Sequence, residues 1–139
     1  PPEGSPGVPA VAVEHRLVAH GSGRFAALYR WQLKTKWGSS PTAGNRLRVF
    51  ASFSSDNTDF PGMVTGADAA YSDTDLLKQL QESRSCPADS STNAQIFSGV
   101  FAATGRYITP VIYNDSGQAL SSTAGDHELE LVPLLDYLP

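Results

Sequence analysis

The sequence predicts an all-β fold, an antiparallel β-sandwich or jelly roll with one short helix in a connection. Apolar and polar residues alternate through several segments, and the longest of these, Arg24–Trp37, carries four aromatic residues on one face. Loops rich in Gly, Pro, Asn, Asp and Ser separate about seven such segments, a spacing typical of sandwiches and jelly rolls. Only Ser72–Ser83 carries the signature of a helix.

Arg24–Trp37 is predicted to be the central strand. Its odd positions form an apolar, β-prone face, and basic or polar residues dominate the other face. At about 3.3 Å per residue an unbroken strand would span roughly 45 Å, so we expect a bulge or bend inside it. Because aromatic residues on one face need a covering layer, this strand predicts a second sheet. Trp31 and Trp37 share the apolar phase, and core packing is favoured over carbohydrate stacking for both.

The remaining strands are predicted from shorter β-prone runs. In Arg46–Phe53, Phe50 lies on the nominally polar side, which indicates that both faces of that strand contact something. Pro110 lies inside an apolar run and has no N–H to donate, so we expect it at a sheet edge or a bulge. The predicted runs are Val11–His20, Arg46–Phe53, Ala94–Ala102, Tyr107–Tyr113 and His127–Leu135.

The one helix is predicted at Ser72–Ser83. Ser72 is placed to cap the first turn, and three leucines at helical spacing share one face. The polar segment that follows, Arg84–Thr92, is predicted to be a loop. Asn114–Gly117 (NDSG) is a strong turn signal.

The chain divides into an arm and one domain. Residues 1–9 contain four prolines and two glycines, a composition that opposes helix and strand alike and predicts an extended N-terminal arm. Residues 10–139 are predicted to form a single β-sandwich domain. A net charge of −4 gives no general attraction to nucleic acid or to an anionic membrane. The N-terminus lacks the basic and apolar regions of a secretory signal, so we expect synthesis in the cytoplasm.

No residue pattern predicts catalysis, a cofactor or a metal. His15, His20 and His127 lack the spacing of a metal site, and no strained nucleophile turn accompanies the Ser, Asp and His residues. The single cysteine, Cys86, excludes an intrachain disulfide and is predicted to be a free loop thiol. We therefore expect a protein that is not an enzyme.

The basic face of the central strand is the most informative surface feature of the sequence. A solvated sheet face is the simpler interpretation, and an electrostatic contact with an acidic protein partner is the sharper one. Two apolar residues on otherwise polar faces join the basic residues as candidate partner contacts. The candidates are Arg24, Leu28, Arg30, Lys34, Lys36 and Phe50.

Three segments resemble small virion structural proteins of tailed bacteriophages. They are WQLKTKWGSSPTAGNRLRVFASFSSD (Trp31–Asp56), GADAA (Gly66–Ala70) and GRYITPVIYNDSGQALSSTAGDHELELVPLLD (Gly105–Asp136), and together they cover over half the chain. The shared order is a strand, an SPTAG-type loop, the GADAA segment, a GRY-containing strand and a final LxLxP strand. The motifs are structural, so no functional residue is carried over from them.

The resemblance implies a capsid decoration, or cement, protein with a jelly-roll fold. Such a protein binds the major capsid protein on the outer surface of the virion and self-associates. The edge strands of a sandwich, and the apolar residues Leu28 and Phe50 on polar faces, predict a homo-oligomer, with a dimer as the favoured form. A tail- or fibre-associated virion protein is the main variant. A carbohydrate-binding β-sandwich module, using loop aromatics such as Tyr71 or Phe60, is the alternative from another class.

Overall fold

The computed structural model describes residues 9–12, 15–16, 27–56, 58–63 and 74–134. Two antiparallel sheets pack against each other as a β-sandwich, which confirms the predicted fold class. The strands are β1 (Pro9–Ala12), β2 (His15–Arg16), β3 (Leu28–Thr35), β4 (Arg46–Ser54), β5 (Gln81–Pro87), β6 (Gln95–Ala102), β7 (Tyr107–Asp115) and β8 (Glu128–Leu134). Short 3-10 helices occupy Pro61–Met63, Thr74–Gln79 and Ala124–Asp126.

The two sheets differ in size. The five-stranded sheet has the order β1-β7-β4-β5, with β2 also pairing with β7, and the three-stranded sheet has the order β6-β3-β8. Every pair is antiparallel. Among the described strands, the chain passes from one sheet to the other between β2 and β3, between β3 and β4, and again at each step from β5 to β8.

The inward phase predicted for the central strand is confirmed. Tyr29, Trp31, Leu33 and Thr35 of β3 are buried, and they alternate with exposed or half-buried residues. The strand ends at Thr35, and Trp37 forms a separate bridge to Leu120. The described strand is therefore shorter than predicted, and its pairing with β6 and β8 shows no bulge between Leu28 and Thr35.

The turn predicted at Asn114–Gly117 anchors the second tryptophan. Trp37 Nε1 donates a hydrogen bond of 2.8 Å to Ser116 Oγ, and Ser116 Oγ donates one of 2.5 Å to Asn114 Oδ1. All three side chains are buried, so the polar groups of this turn satisfy one another inside the protein. Gly117 has a φ of 80°, a conformation that favours glycine.

The predictions for residues 72–92 were wrong in two respects. The helix is a 3-10 helix that ends at Gln79, and the predicted loop Arg84–Thr92 overlaps strand β5, which pairs with β4. Leu77 lies in this short helix and Leu80 directly after it, and both side chains pack against Phe50. The polar composition of β5 reflects its edge position, where its side chains bind backbone groups of β6.

The predicted position of Pro110 at a sheet edge was wrong, because β7 lies between β4 and the β1 and β2 strands. The pairs nearest to Pro110 on that side are Ala12 with Val111 and His15 with Ile108. Pro110 therefore lies opposite the interval between β1 and β2, where no ladder partner is described.

The predicted N-terminal arm lies mostly outside the described residues. Its last residue, Pro9, begins β1, so the strand starts one residue earlier than the predicted domain. Arg24, His20 and Tyr71 also lie outside the described residues. None of the helices in the described part of the chain is long and apolar enough to cross a membrane.

Candidate partner surface

The large apolar side chains that are exposed in the described residues lie on one face, the outer face of the three-stranded sheet. Leu28 belongs to β3, Ile96 and Val100 to β6, and Val132 and Leu134 to β8, with exposed fractions between 38% and 60%. Cross-strand partners in a sheet share a face, and the register places these residues beside one another. Exposed apolar residues gathered in this way mark an interaction surface.

Four of these residues surround a cation. Arg30 lies opposite Val100 on one side and Val132 on the other, and in the next row Leu28 lies opposite Leu134. We call Arg30 and the four apolar residues around it the outer patch; the four are Leu28, Val100, Val132 and Leu134. Arg30 is exposed, and no ion pair involving it occurs within the described ranges. An exposed guanidinium of this kind can bind a carboxylate through two parallel hydrogen bonds.

The other end of the same face is charged. Lys34 lies opposite Ile96 and Glu128, and Gln32 lies opposite Glu130. The outer face thus changes along the strands from apolar with one cation to mixed charge. That asymmetry gives the face a preferred orientation toward any partner.

The structure separates the candidate contacts predicted from the sequence. Leu28, Arg30 and Lys34 lie exposed on the outer face, whereas Lys36 lies beyond the end of β3 and is half-buried. Arg24 lies outside the described residues. Sequence analysis missed the residues of β6 and β8 on this face, because the apolar phase of both segments is irregular in the sequence.

Phe50 must be corrected as a partner contact. It lies on the outer face of the five-stranded sheet, but its side chain is 1% exposed and packs with Leu77, Leu80 and Val111. The Arg48 guanidinium lies 5.0 Å from the centre of its ring. Both faces of β4 thus contact the chain's own residues, with Phe50 on the outer face and Val49 and Ala51 in the core, as the position of Phe50 in the sequence indicated.

A groove of about 600 Å³ opens beside this cluster. Its polar lining comes from Arg48, Lys78, Glu82, Tyr113 and Asp115. Arg48 donates to both carboxylate oxygens of Glu82, from Nε at 2.9 Å and from Nη2 at 3.1 Å. This hydrogen bonding raises the pKa of Arg48 above its ordinary value. Arg48 and Glu82 therefore already neutralise each other within the groove.

Of the aromatic residues considered for glycan binding, the three that the structure describes are not at the surface. Phe60 is 8% exposed, and the burial of Trp31 and Trp37 confirms that both are core residues. Tyr71 lies outside the described residues. An exposed aromatic platform on loops is thus not found in the described part of the chain.

His127 is held by both ring nitrogens. Nδ1 lies 2.8 Å from Thr35 Oγ1, and Nε2 lies 2.7 Å from the Ser121 carbonyl oxygen. Because a carbonyl only accepts, Nε2 donates to Ser121; in the neutral ring Nδ1 then accepts from the Thr35 hydroxyl. His127 thus connects β3 to the loop before β8. Across the described residues, no group of His, Cys, Asp and Glu is arranged to hold a metal.

Cys86 lies in β5 and not in a loop, which corrects the prediction. Its side chain belongs to the core cluster, and burial raises the pKa of the thiol to about 11. We expect native Cys86 to react with a disulfide reagent at pH 8 at least about a hundredfold more slowly than in the unfolded chain, because the thiolate is the nucleophile. Labelling kinetics with and without denaturant measure this. Equal rates would show that Cys86 is accessible.

The outer patch and the groove are the two surfaces of the described residues with the character of a binding site. The patch is apolar around one cation, and the groove is polar with internally paired charges. No protein family, curated protein or solved structure that was compared with this chain matches it.

Proposed function

We propose that the chain is a non-enzymatic virion structural protein, a capsid decoration protein that binds the major capsid protein on the outer surface of a bacteriophage shell. The observation that carries the proposal is the outer patch, an exposed apolar cluster on a rigid sheet face with a cation at its centre. The resemblance of Trp31–Asp56 and Gly105–Asp136 to virion structural proteins supplies the identity of the partner.

The outer patch suits attachment to a preformed surface. Fully burying one Val or Leu side chain stabilises a complex by about 1.5–3 kcal/mol before the costs of association. Because the patch lies on paired strands, little backbone entropy is lost when a partner covers it. A carboxylate on the capsid protein, placed over Arg30, fixes the orientation through two parallel hydrogen bonds.

Self-association completes the proposal. We expect a homodimer, since a dimer that binds two sites of a repeating shell gains effective concentration without any stronger single contact. The arm, residues 1–9, is the segment proposed to cross to a neighbouring protein. Sedimentation of the isolated protein at tens of micromolar reports the dimer separately from capsid binding.

Reversing the charge at the centre of the patch tests attachment. We expect Arg30→Glu to weaken binding to expanded, undecorated capsids by at least about tenfold, because it turns an attraction for a carboxylate into a repulsion. Arg46→Glu is the matched control, since Arg46 is an exposed arginine on the other sheet. Co-sedimentation with capsids gives both affinities. Equal binding by the two variants and the parent would exclude the outer patch as the attachment surface.

A tail or fibre location remains the variant of this proposal. Both locations use an apolar attachment surface, so the position of the chain in a purified particle distinguishes them. Density on the capsid faces supports decoration, and density confined to the tail overturns it.

A carbohydrate-binding module is the second candidate, and the groove favours it. Tyr113 is half-buried there beside Asp115 and Glu82, a combination of ring and carboxylates that suits a sugar. A glycan array with the parent protein and Tyr113→Ala tests this function. Saturable glycan binding that Tyr113→Ala removes, together with no capsid binding, would replace the decoration proposal.

A further inference from the structure

The three-stranded sheet has two edge strands, β6 and β8, and they differ in how their outer backbone groups are satisfied. At the β6 edge these groups bind side chains of β5. Gln81 of β5 bonds both backbone groups of Ala102, donating to the oxygen at 2.9 Å and accepting from the nitrogen at 2.7 Å. Ser83 Oγ donates to the Val100 oxygen at 2.7 Å, and Arg84 Nη1 to the Ser98 oxygen at 3.1 Å. Side chains of β5 thus satisfy the outer edge of β6.

The β8 side is open in the described part of the chain. There β8 pairs with β3 and with no other described strand. Its inward residues Leu129 and Leu131 are only partly buried, whereas their β3 partners, Leu33 and Trp31, are at most 1% exposed. Because β1 and β2 both pair with β7, the larger sheet is four strand positions wide and the smaller sheet is three, whereas an eight-stranded jelly roll has four in each. A fourth strand of the smaller sheet would lie beside β8. The core is therefore incompletely covered where such a strand would lie.

The side chains of β8 indicate what that strand must carry. Glu128 and Glu130 lie exposed on its outer face, followed by Val132 and Leu134. A second copy of β8 would bring its own glutamates and its own proline, which has no N–H, to a seam that already contains Glu128, Glu130 and Pro133, so self-pairing is disfavoured. A complementary strand presents Lys or Arg beside the glutamates. On the other side of β8, strand β3 already places a basic residue beside a glutamate, with Lys34 opposite Glu128.

We propose that the free edge of β8 binds an extended segment of a partner protein by strand addition. The segment has apolar residues on its inward face, against Leu129 and Leu131, and basic residues on its outward face, against Glu128 and Glu130. Backbone hydrogen bonds supply affinity in this mode, and alternate side chains supply specificity. This inference goes beyond the capsid proposal, because it concerns a different surface and holds for any partner with this pattern.

A peptide of alternating residues is the probe. We expect acetylated Thr-Val-Thr-Val-Lys-Val-Lys to bind the full chain and to shift the amide resonances of β8 more than those of β6. The same peptide with alternate backbone nitrogens methylated, in each of the two phases, is the control for edge pairing. One methylated form should lose binding, since it removes the donors that face β8. If both methylated forms bind as well as the parent peptide, the contact is not strand addition and the inference is overturned.

A charge exchange tests the recognition. Glu130→Lys should weaken binding of the lysine peptide and favour a peptide with Glu in place of Lys, each by about tenfold for two altered cross-strand contacts. Asp59→Lys is the matched control on another surface. If Glu130→Lys and Asp59→Lys bind both peptides alike, or if the parent protein binds neither, the proposal fails.

Hydrogen exchange of the isolated protein reports other occupants. We expect alternate amides of β8, those that face away from β3, to exchange rapidly at all protein concentrations. Protection at every concentration would mean that the chain's own residues cover the edge, and protection that appears only at high concentration would mean that a second copy covers it. Either result overturns the proposal, and neither affects the capsid-binding test of Arg30→Glu.

Discussion

Replacement of Trp31 by alanine is expected to lower the free energy of unfolding by about 3–5 kcal/mol. The indole is fully buried, and its ring centre lies 6.0 Å from that of Phe101. Its Nε1 also donates a 2.7 Å hydrogen bond to Ser83 Oγ, which ties the core to β5. Alanine removes the apolar contacts and that bond, and it leaves a cavity where the two sheets meet.

Denaturant unfolding of Trp31→Ala beside Lys34→Ala measures this effect. Lys34 is in the same strand but exposed, so its truncation should change the free energy of unfolding by no more than about 0.5 kcal/mol. Equally mild effects of both substitutions would contradict the inward orientation of Trp31.

Gly99→Ala is expected to destabilise the protein by about 1–3 kcal/mol, which reverses the usual effect of this substitution in a strand. Gly99 lies opposite Trp31 in the sheet, and a Cβ there would come within 2.6 Å of Cζ2 and 2.7 Å of Nε1 of the indole. The indole is fully buried and donates a hydrogen bond to Ser83 Oγ, so moving the ring away from position 99 would disturb its packing and that bond. Glycine is thus required at this position by its neighbour.

A double-mutant cycle measures the coupling between positions 99 and 31. In a Trp31→Phe background the clashing indole atoms are absent, so Gly99→Ala should cost much less than in the parent protein, and the two substitutions should couple. Gly125→Ala is the control, since a Cβ at Gly125 meets nothing within 4 Å. Full additivity of the Trp31 and Gly99 substitutions in the cycle would show that the indole does not restrict position 99.

The fold class was predictable because the strongest strands are amphipathic with a period of two. In β3 every second residue from Tyr29 to Thr35 is buried, and the sequence shows that alternation directly. Strand β5 was missed for a physical reason. Its inward apolar contribution is Cys86, and the remaining contacts are hydrogen bonds from Gln81 and Ser83, which hydropathy does not report.

Only part of the candidate surface was predicted, because only one of its three strands has a clear alternation in the sequence. Leu28 and Arg30 belong to a strand whose phase is clear, so their outward position followed from the sequence. Val100 and Val132 join them only through cross-strand register, which connects residues from distant parts of the chain. Phe50 was misjudged as a contact because the leucines that cover it belong to the connection after β4.

The order of the three-stranded sheet also constrains how this chain acquires its structure during synthesis. The central strand β3 lies in the first third of the sequence, yet both of its partners, β6 and β8, lie in the last third. Pairing across such separations requires closure of long loops, which makes β-rich topologies slow to fold. Among the described strands, β3 therefore has no pairing partner until β6 has been synthesised. Trp31 can lie opposite Gly99, as it does in the folded sheet, only after that point. The three-stranded sheet is consequently completed only after β8 has been synthesised.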